Sequence, residues 1–235
     1  MKVCDTMVGV SIMVGGLAAS MQTTVLASVI VTVPGIANPW LAGMPDGTDD
    51  GYDDIAPTYS PVLVSGLNLG TGVVQVWAAT GAVNNVPWGP GFTADGNPID
   101  VQHHLTPNYG KSDITCPLDA LLGVFLSDAP PSEPGPPALD FSTSTSRDYV
   151  ELSPALSQVF FLGDGRGSGG LQQTIHVPTG ATRFYLGIMD SWQHSSNWGS
   201  FDVSLADVPE PATAGVLLAG GLLLVGRRHA TARRC

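Results

Sequence analysis

Short apolar runs recur along the middle of the chain, and no stretch there shows a long 3.6-residue period. These runs are residues 29–33, 61–69, 73–79, 120–126, 171–177, 181–189 and 201–205. They are separated by stretches rich in Gly and Pro, of which the chain has 29 and 19. Short runs of this kind between turn residues are typical of β-sandwiches and barrels. The pattern therefore predicts an all-β fold, specifically an antiparallel β-sandwich of the jelly-roll type.

Two runs near the end alternate apolar and polar residues with a period of two, as half-buried strands do. Their inward positions are Phe184, Leu186, Ile188, Phe201, Val203 and Leu205. If these two strands pair antiparallel, residues 190–199 connect ends that lie about 5 Å apart. Residues 73–79 are apolar on nearly both faces, which predicts a strand in the middle of a sheet.

Four segments between the runs are predicted to be loops. Residues 39–57 carry five aspartates, which we expect to be a solvated acidic loop, with calcium binding as the alternative. Residues 81–110 form a long irregular segment, in which we expect Trp88 to be a buried anchor and His103 and His104 to be solvated. The remaining two are a proline-rich excursion at residues 129–137 and a glycine-rich turn at residues 163–170.

Both ends of the chain read as export signals. Residues 1–27 combine Lys2, an uncharged run and small residues before Ala27, which predicts a signal peptide, with an uncleaved anchor as the alternative. At the other end, an apolar run at residues 212–226 follows two prolines and precedes arginines. This predicts a short transmembrane helix with a cytoplasmic basic end. A buried core helix is the alternative for this run.

The C-terminal end, residues 208–235, resembles the PEP-CTERM sorting signal. The matching parts, in order, are Pro209-Glu210-Pro211, the glycine-rich apolar segment, and the basic cluster that begins with Arg227 and Arg228. The resemblance implies a bacterial protein that is exported, held in the inner membrane and cut by an exosortase. It further implies a final place at the cell surface or in an exopolysaccharide matrix.

The remaining segment, residues 28–207, has the size of one domain and is strongly acidic. It holds 18 acidic and four basic residues, a net charge of −14. Nucleic-acid binding requires the opposite sign, so this class is excluded. Cys116 is the lone cysteine of the segment, which excludes an internal disulfide and predicts a buried thiol.

The loop after the first alternating run carries the side chains with the clearest chemistry. The oxygen-bearing ones are Asp190, Ser195, Ser196 and Asn197. Carboxylate, amide and hydroxyl oxygens suit a hard cation such as Ca²⁺. Trp192 and Trp198 flank the loop and could stack against a sugar ring. The alternative is an ordinary hairpin whose polar side chains form local turn hydrogen bonds.

The same segment resembles the small calcium-dependent galactose-binding bacterial lectins, a β-sandwich family. The matching residues are Asp190, the stretch Asn197-Trp198-Gly199-Ser200-Phe201 and the stretch Trp88-Gly89-Pro90, within a region of about 69–205.

The resemblance implies one calcium ion that also binds the sugar. Its implied ligands are Asp190, Asn197, Ser196 in place of an Asn, His194 or Ser195 at a Thr position, and a carbonyl near Asn84. His103 or His104 falls where the family contacts the sugar with a histidine.

Together these observations predict an exported, matrix-associated, carbohydrate-binding protein with Ca²⁺ as cofactor and a glycan, an exosortase and the inner membrane as partners. The alternative is a structural matrix protein without a small-molecule site. Sequence motifs of hydrolytic enzymes, such as G-x-S-x-G and H-E-x-x-H, are absent from the chain, so we do not expect an enzyme.

Overall fold

The computed structural model describes residues 28–208, and nearly all regular structure in them is β. The strands are β1 (Ser28–Pro34), β2 (Val62–Leu63), β3 (Val73–Asn84), β4 (Val101–His103), β5 (Ile114–Pro117), β6 (Leu121–Leu126), β7 (Leu139–Asp140), β8 (Glu151–Leu152), β9 (Val159–Phe161), β10 (Thr174–His176), β11 (Arg183–Ile188) and β12 (Trp198–Asp207). One helical turn, α1 (Ser144–Arg147), and 3₁₀ turns at Pro39–Leu41, Leu69–Thr71 and His194–Ser196 complete the described part.

The strands form three sheets. The first has the order β1-β12-β3-β10-β8, the second β2-β11-β6-β9 and the third β4-β5-β7. Pairing is antiparallel except between β10 and β8 and between β5 and β7. The central position of β3 in the first sheet confirms the prediction from its apolar sequence. The predicted all-β sandwich class agrees with this architecture.

Alternation along β11 and β12 places their apolar side chains inside. Phe184 and Leu186 from β11 share one buried core with Phe201 and Val203 from β12. These side chains are 0–1% exposed, which confirms the predicted inward faces. Burial of such side chains is the main stabilising term in folding.

The two strands belong to different sheets, so the antiparallel pairing considered for them does not occur. β11 pairs with β2 and β6, whereas β12 pairs with β1 and β3. The loop between them therefore crosses from one sheet to the other instead of closing a hairpin. Two half-buried strands with the same inward pattern fit opposite sheets of a sandwich as well as neighbouring strands of one sheet.

Residues 37–42 cover β6 and β11. Ile188 N donates to the Ala37 carbonyl at 2.8 Å, and Trp40 is fully buried. Gly187 permits this close approach, since a Cβ there would lie 2.8 Å from the Ala37 oxygen. The extra cover explains why all six residues of β6 are buried.

Among the described residues, no helix is long and apolar enough to cross a membrane. The predicted signal peptide, the transmembrane helix at residues 212–226 and the sorting motif lie outside the described residues. Cys116 is a free thiol with 0% exposure, as predicted, and burial raises its pKa.

Candidate functional site

Loops from several strands meet at the end of the sandwich where β11 finishes and β12 begins. Trp198, the first residue of β12, lies opposite Asn84, the last residue of β3. The β5–β6 turn joins them, because Asp119 N donates to the Met189 carbonyl at 2.9 Å. We call this region the loop end.

Asp54 fastens the acidic loop to the loop end. Its carboxylate accepts hydrogen bonds from the backbone amides of His194 and Ser195, at 2.6 and 2.8 Å, and so holds the start of the 3₁₀ turn. His194 Nδ1 lies 3.5 Å from the same carboxylate, and both side chains have 0% exposure. Burial raises the pKa of Asp54, but the hydrogen bonds and charge of His194 outweigh it, so this pKa ends below its usual value.

Asp50 forms a second attachment beside the first. It accepts hydrogen bonds from Asn38 Nδ2 at 2.5 Å and Thr106 Oγ1 at 2.9 Å. Burial raises its pKa to about 6. Thr106 Oγ1 also lies 2.8 Å from His104 Nε2, and the His104 ring stacks on Trp40 with ring centroids 3.5 Å apart.

The acidic loop is therefore only partly solvated, which corrects the prediction. Asp46, Asp49 and Asp53 are exposed, but Asp50 and Asp54 have 0% exposure. Spacing along the sequence does not distinguish the inward aspartates from the outward ones, because their partners are distant in the chain.

A second pair of buried carboxylates lies deeper in the loop end. Asp119 has 0% exposure and Asp190 2%. Neither carboxylate oxygen of Asp119 has a hydrogen-bond partner among the described residues. Burial, followed by the charge of Asp190, raises the Asp119 pKa to about 7, while the nearby backbone amide of Asn85 lowers it without meeting the geometry of a hydrogen bond. Sequence reasoning missed Asp119, one aspartate among many.

Two indoles form an exposed cleft above these groups. Its lining residues are Pro87, Trp88, Gly89 and Trp198, and its volume is about 360 Å³. We call it the indole cleft. Trp88 is 98% exposed, so the expectation of a buried anchor was wrong. Trp198 is 40% exposed, and its Nε1 donates to the Val86 carbonyl at 2.8 Å.

The main chain fixes both sides of the cleft. Gly199 has φ +86°, and a Cβ there would lie 2.1 Å from the Ala82 carbonyl oxygen, so only glycine fits after Trp198. At position 89, a Cβ would lie 2.7 Å from Asn84 Nδ2. The Asn84 side chain in turn donates to the Pro90 carbonyl and accepts from Val86 N.

The predicted calcium ligands divide into two groups. Ser196 Oγ donates to the Gln193 carbonyl at 3.0 Å, and Ser195 Oγ lies 3.5 Å from the Tyr52 carbonyl, so these two hydroxyls serve local structure. The Asn84 side chain holds the loop as described, whereas the ligand predicted near Asn84 is a main-chain carbonyl. By contrast, Asn197 Nδ2 donates to the Gly35 carbonyl at 3.1 Å, but its buried Oδ1 has no partner among the described residues.

The predicted sugar contacts also divide. Trp192 is 47% exposed and meets Tyr52 edge-on, with ring centroids 4.8 Å apart, and Trp198 lines the indole cleft. His103 is exposed and lies 3.3 Å from Asp113. The side chains of His104 and His194 have 0% exposure, which corrects the solvated state expected of His104 and leaves neither ring accessible to a surface ligand.

Comparison with protein-family models, with characterised proteins and with solved structures finds no match to this chain. Within residues 28–208, no three His, Cys, Asp or Glu side chains group together as a metal site. Any cation bound there would need amide, carbonyl or water oxygens besides carboxylates.

Proposed function

We propose that the protein is an exported β-sandwich that binds carbohydrate through the indole cleft. The exposure of Trp88 carries this proposal, because a tryptophan side chain that is 98% exposed gains nothing from burial in its own fold. Trp198 faces the same cleft and is held by its hydrogen bond to Val86. A fixed indole beside an exposed one is suited to clasp a flat ligand.

A sugar ring fits this cleft better than a nucleotide or an acidic ligand. Indole faces favour the weakly positive C–H face of a sugar, since the aromatic face carries partial negative charge. The net charge of −14 on residues 28–207 disfavours anions. Trp192 and Tyr52 add exposed aromatic surface on neighbouring loops at the same end.

The sequence at the two ends of the chain supports an extracellular location for this binding. The PEP-CTERM-like residues 208–235 support export, a stay in the inner membrane and handling by an exosortase. A protein delivered by that route meets exopolysaccharide, so we propose a matrix polysaccharide as the glycan. We propose no enzymatic activity, and the detection of shortened polysaccharide chains after incubation would contradict this.

We keep two features of the calcium-dependent galactose-binding lectins in the proposal and change the set of calcium ligands. The jelly-roll arrangement of that family and the use of Ca²⁺ as cofactor are proposed here, with residues 69–205 as the lectin-like region. Local hydrogen bonds of Ser195 and Ser196 argue for a ligand set different from the one the resemblance implies.

Glycan arrays and calorimetric titration with the host's polysaccharide test the proposal. We expect the protein to bind in saturating Ca²⁺ and Trp88→Ala to weaken binding at least tenfold. Ile99→Ala is the matched control, because Ile99 is 92% exposed and lies outside the cleft. The absence of glycan binding by the unmodified protein would favour the alternative, a structural matrix protein without a small-molecule site.

A further inference from the structure

We propose that Asp119 and Asp190 together bind one hard divalent cation, Ca²⁺, with the Oδ1 atom of Asn197 as a third oxygen. Asp119 carries this inference. It lies in the β5–β6 turn, far in sequence from the loop to which the lectin resemblance drew attention, and that resemblance implies no ligand from this turn.

Backbone pairing brings the Asp119 turn against the end of β11, where Asp190 follows, and the charge of Asp190 acts on the Asp119 carboxyl. Asp119 N donates to the Met189 carbonyl at 2.9 Å, and Met189 N donates to the Ala120 carbonyl at 2.8 Å. Asp119 therefore lies beside the residue that precedes Asp190. Its φ of +66° fixes its place in the turn, in a region that aspartate tolerates better than most residues.

Asn197 reaches the same end of β11 through the 3₁₀ turn. His194 Nε2 lies 3.1 Å from the Ile188 carbonyl, which folds the turn back onto the strand end, and Asn197 N donates to the His194 carbonyl at 3.0 Å. The Asn197 amide nitrogen is used by Gly35, so its oxygen is the group left over.

Three buried oxygens without a partner call for a ligand. They are Asp119 Oδ1, Asp119 Oδ2 and Asn197 Oδ1. An uncompensated buried acceptor costs about 1–3 kcal/mol, and more when it is charged. A buried carboxylate near a second one must be neutralised by a proton or a cation. The donor set contains only oxygen, which is what Ca²⁺ prefers.

The charges around the pair favour a cation over a proton. The loop end buries four carboxylates, those of Asp50, Asp54, Asp119 and Asp190. His194 is the nearby base whose pKa is raised, since burial is outweighed by its hydrogen bond to Asp54 and by the charges of Asp190 and Asp54. Burial lowers the His104 pKa to about 3. One imidazolium cannot balance this many carboxylates, and a divalent ion at Asp119 and Asp190 would supply the missing positive charge.

This inference deepens the proposed function, since such an ion would stiffen the loop that leads into Trp198, but it concerns cation binding alone. The test is calorimetric titration of the purified full-length protein, stripped with EDTA, with CaCl₂ and separately with MgCl₂. We expect one Ca²⁺ per chain, weaker Mg²⁺ binding, and at least tenfold weaker Ca²⁺ binding by Asp119→Asn.

Asp53→Asn is the matched control. Asp53 is also an aspartate with a left-handed backbone, φ +67°, but its side chain is exposed to solvent, so its variant should bind Ca²⁺ like the unmodified protein. Equal Ca²⁺ affinity of Asp119→Asn and the unmodified protein would overturn the inference. So would the absence of Ca²⁺ binding, in which case the two carboxylates share a proton only.

A thermal melt keeps the test decisive if Asp119→Asn does not fold. Ca²⁺ at a hundredfold excess over its Kd should raise the Tm of the unmodified protein by about 5–10 °C relative to EDTA. An unchanged Tm would count against the site. Ca²⁺ binding without glycan binding would refute the proposed function alone, and glycan binding by a protein that shows no Ca²⁺ binding in the titration would refute the cation site alone.

Discussion

Buried carboxylates at the loop end illustrate how far a residue's role depends on partners distant in sequence. Asp54 and its neighbour Asp53 are adjacent and chemically identical, yet one holds a 3₁₀ turn 140 residues away and the other faces solvent. The same holds for Trp88, whose hydrophobicity suggests burial although its loop presents it to solvent. Composition and spacing predicted which residue types would matter here. They could not predict direction, which the tertiary contacts decide.

Asp54→Asn should destabilise the protein by about 3 kcal/mol. The change removes the negative charge that pairs with buried His194 and weakens the acceptance of two backbone hydrogen bonds. Urea unfolding at neutral pH measures the loss. The free energy of unfolding of Asp53→Asn should lie within about 0.5 kcal/mol of that of the unmodified protein. A comparable loss of stability in both variants would contradict the role assigned to Asp54.

Asp119 should make the stability of the cation-free protein fall with rising pH. Its folded pKa of about 7 lies above its ordinary 3.8, so the folded state loses a stabilising proton as pH rises through this window. Burial and the charges of Asp190 and Asp100 raise the Asp119 pKa, and the Asn85 amide lowers it.

In EDTA, Asp119→Asn should therefore melt close to the unmodified protein at pH 4 and above it at pH 8. Comparing the two proteins cancels the contributions of His104, His194 and Asp50, which both retain. Saturating Ca²⁺ should reverse the order at pH 8. A difference in Tm that does not change with pH would show that Asp119 does not titrate in this range.

Single elements were predictable where one physical rule decides them. Alternation in β11 and β12 gave the correct inward faces, and the doubly apolar sequence of β3 gave its central position. The partner of β11 was not predictable, because identical inward patterns serve either sheet of a sandwich. The pairing of β1 with residues 200–206 of β12 was also not predictable, because it joins segments at opposite ends of the domain sequence.

Gly187→Ala should cost about 1–3 kcal/mol by pushing residues 37–42 off β11. The new Cβ would lie 2.8 Å from the Ala37 oxygen and 3.0 Å from Pro39 N, both backbone atoms that cannot rotate away. Gly169→Ala is the control, because a Cβ there meets nothing within 4 Å. Chemical denaturation compares them, and equal stability would mean that this segment packs loosely.

At the scale of the whole molecule, β1 closes the first sheet. It pairs with β12 from Ser28 opposite Ala206 to Pro34 opposite Ser200, and Val33 is fully buried in the core. Without it, β12 would become an exposed apolar edge, which is a template for aggregation.

Deleting residues 28–34 should therefore abolish cooperative folding and give aggregates. Circular dichroism melts and size-exclusion chromatography report the outcome. Ile30→Thr keeps the strand and changes a side chain that is 77% exposed. The free energy of unfolding of this variant should therefore lie within about 0.5 kcal/mol of that of the unmodified protein. A monomeric, folded deletion variant would show that β1 is dispensable.

The pairing of β1 with β12 has a mechanical consequence. Ser28 and Ala206 are opposite each other, so both exits of the sandwich leave side by side at one pole. Trp198 begins β12 at the other pole, and ten strand residues at about 3.3 Å each separate the two by about 30 Å. An attachment at either Ser28 or Ala206 would therefore hold the sandwich by one end, with the indole cleft at the opposite end and facing away from the attachment.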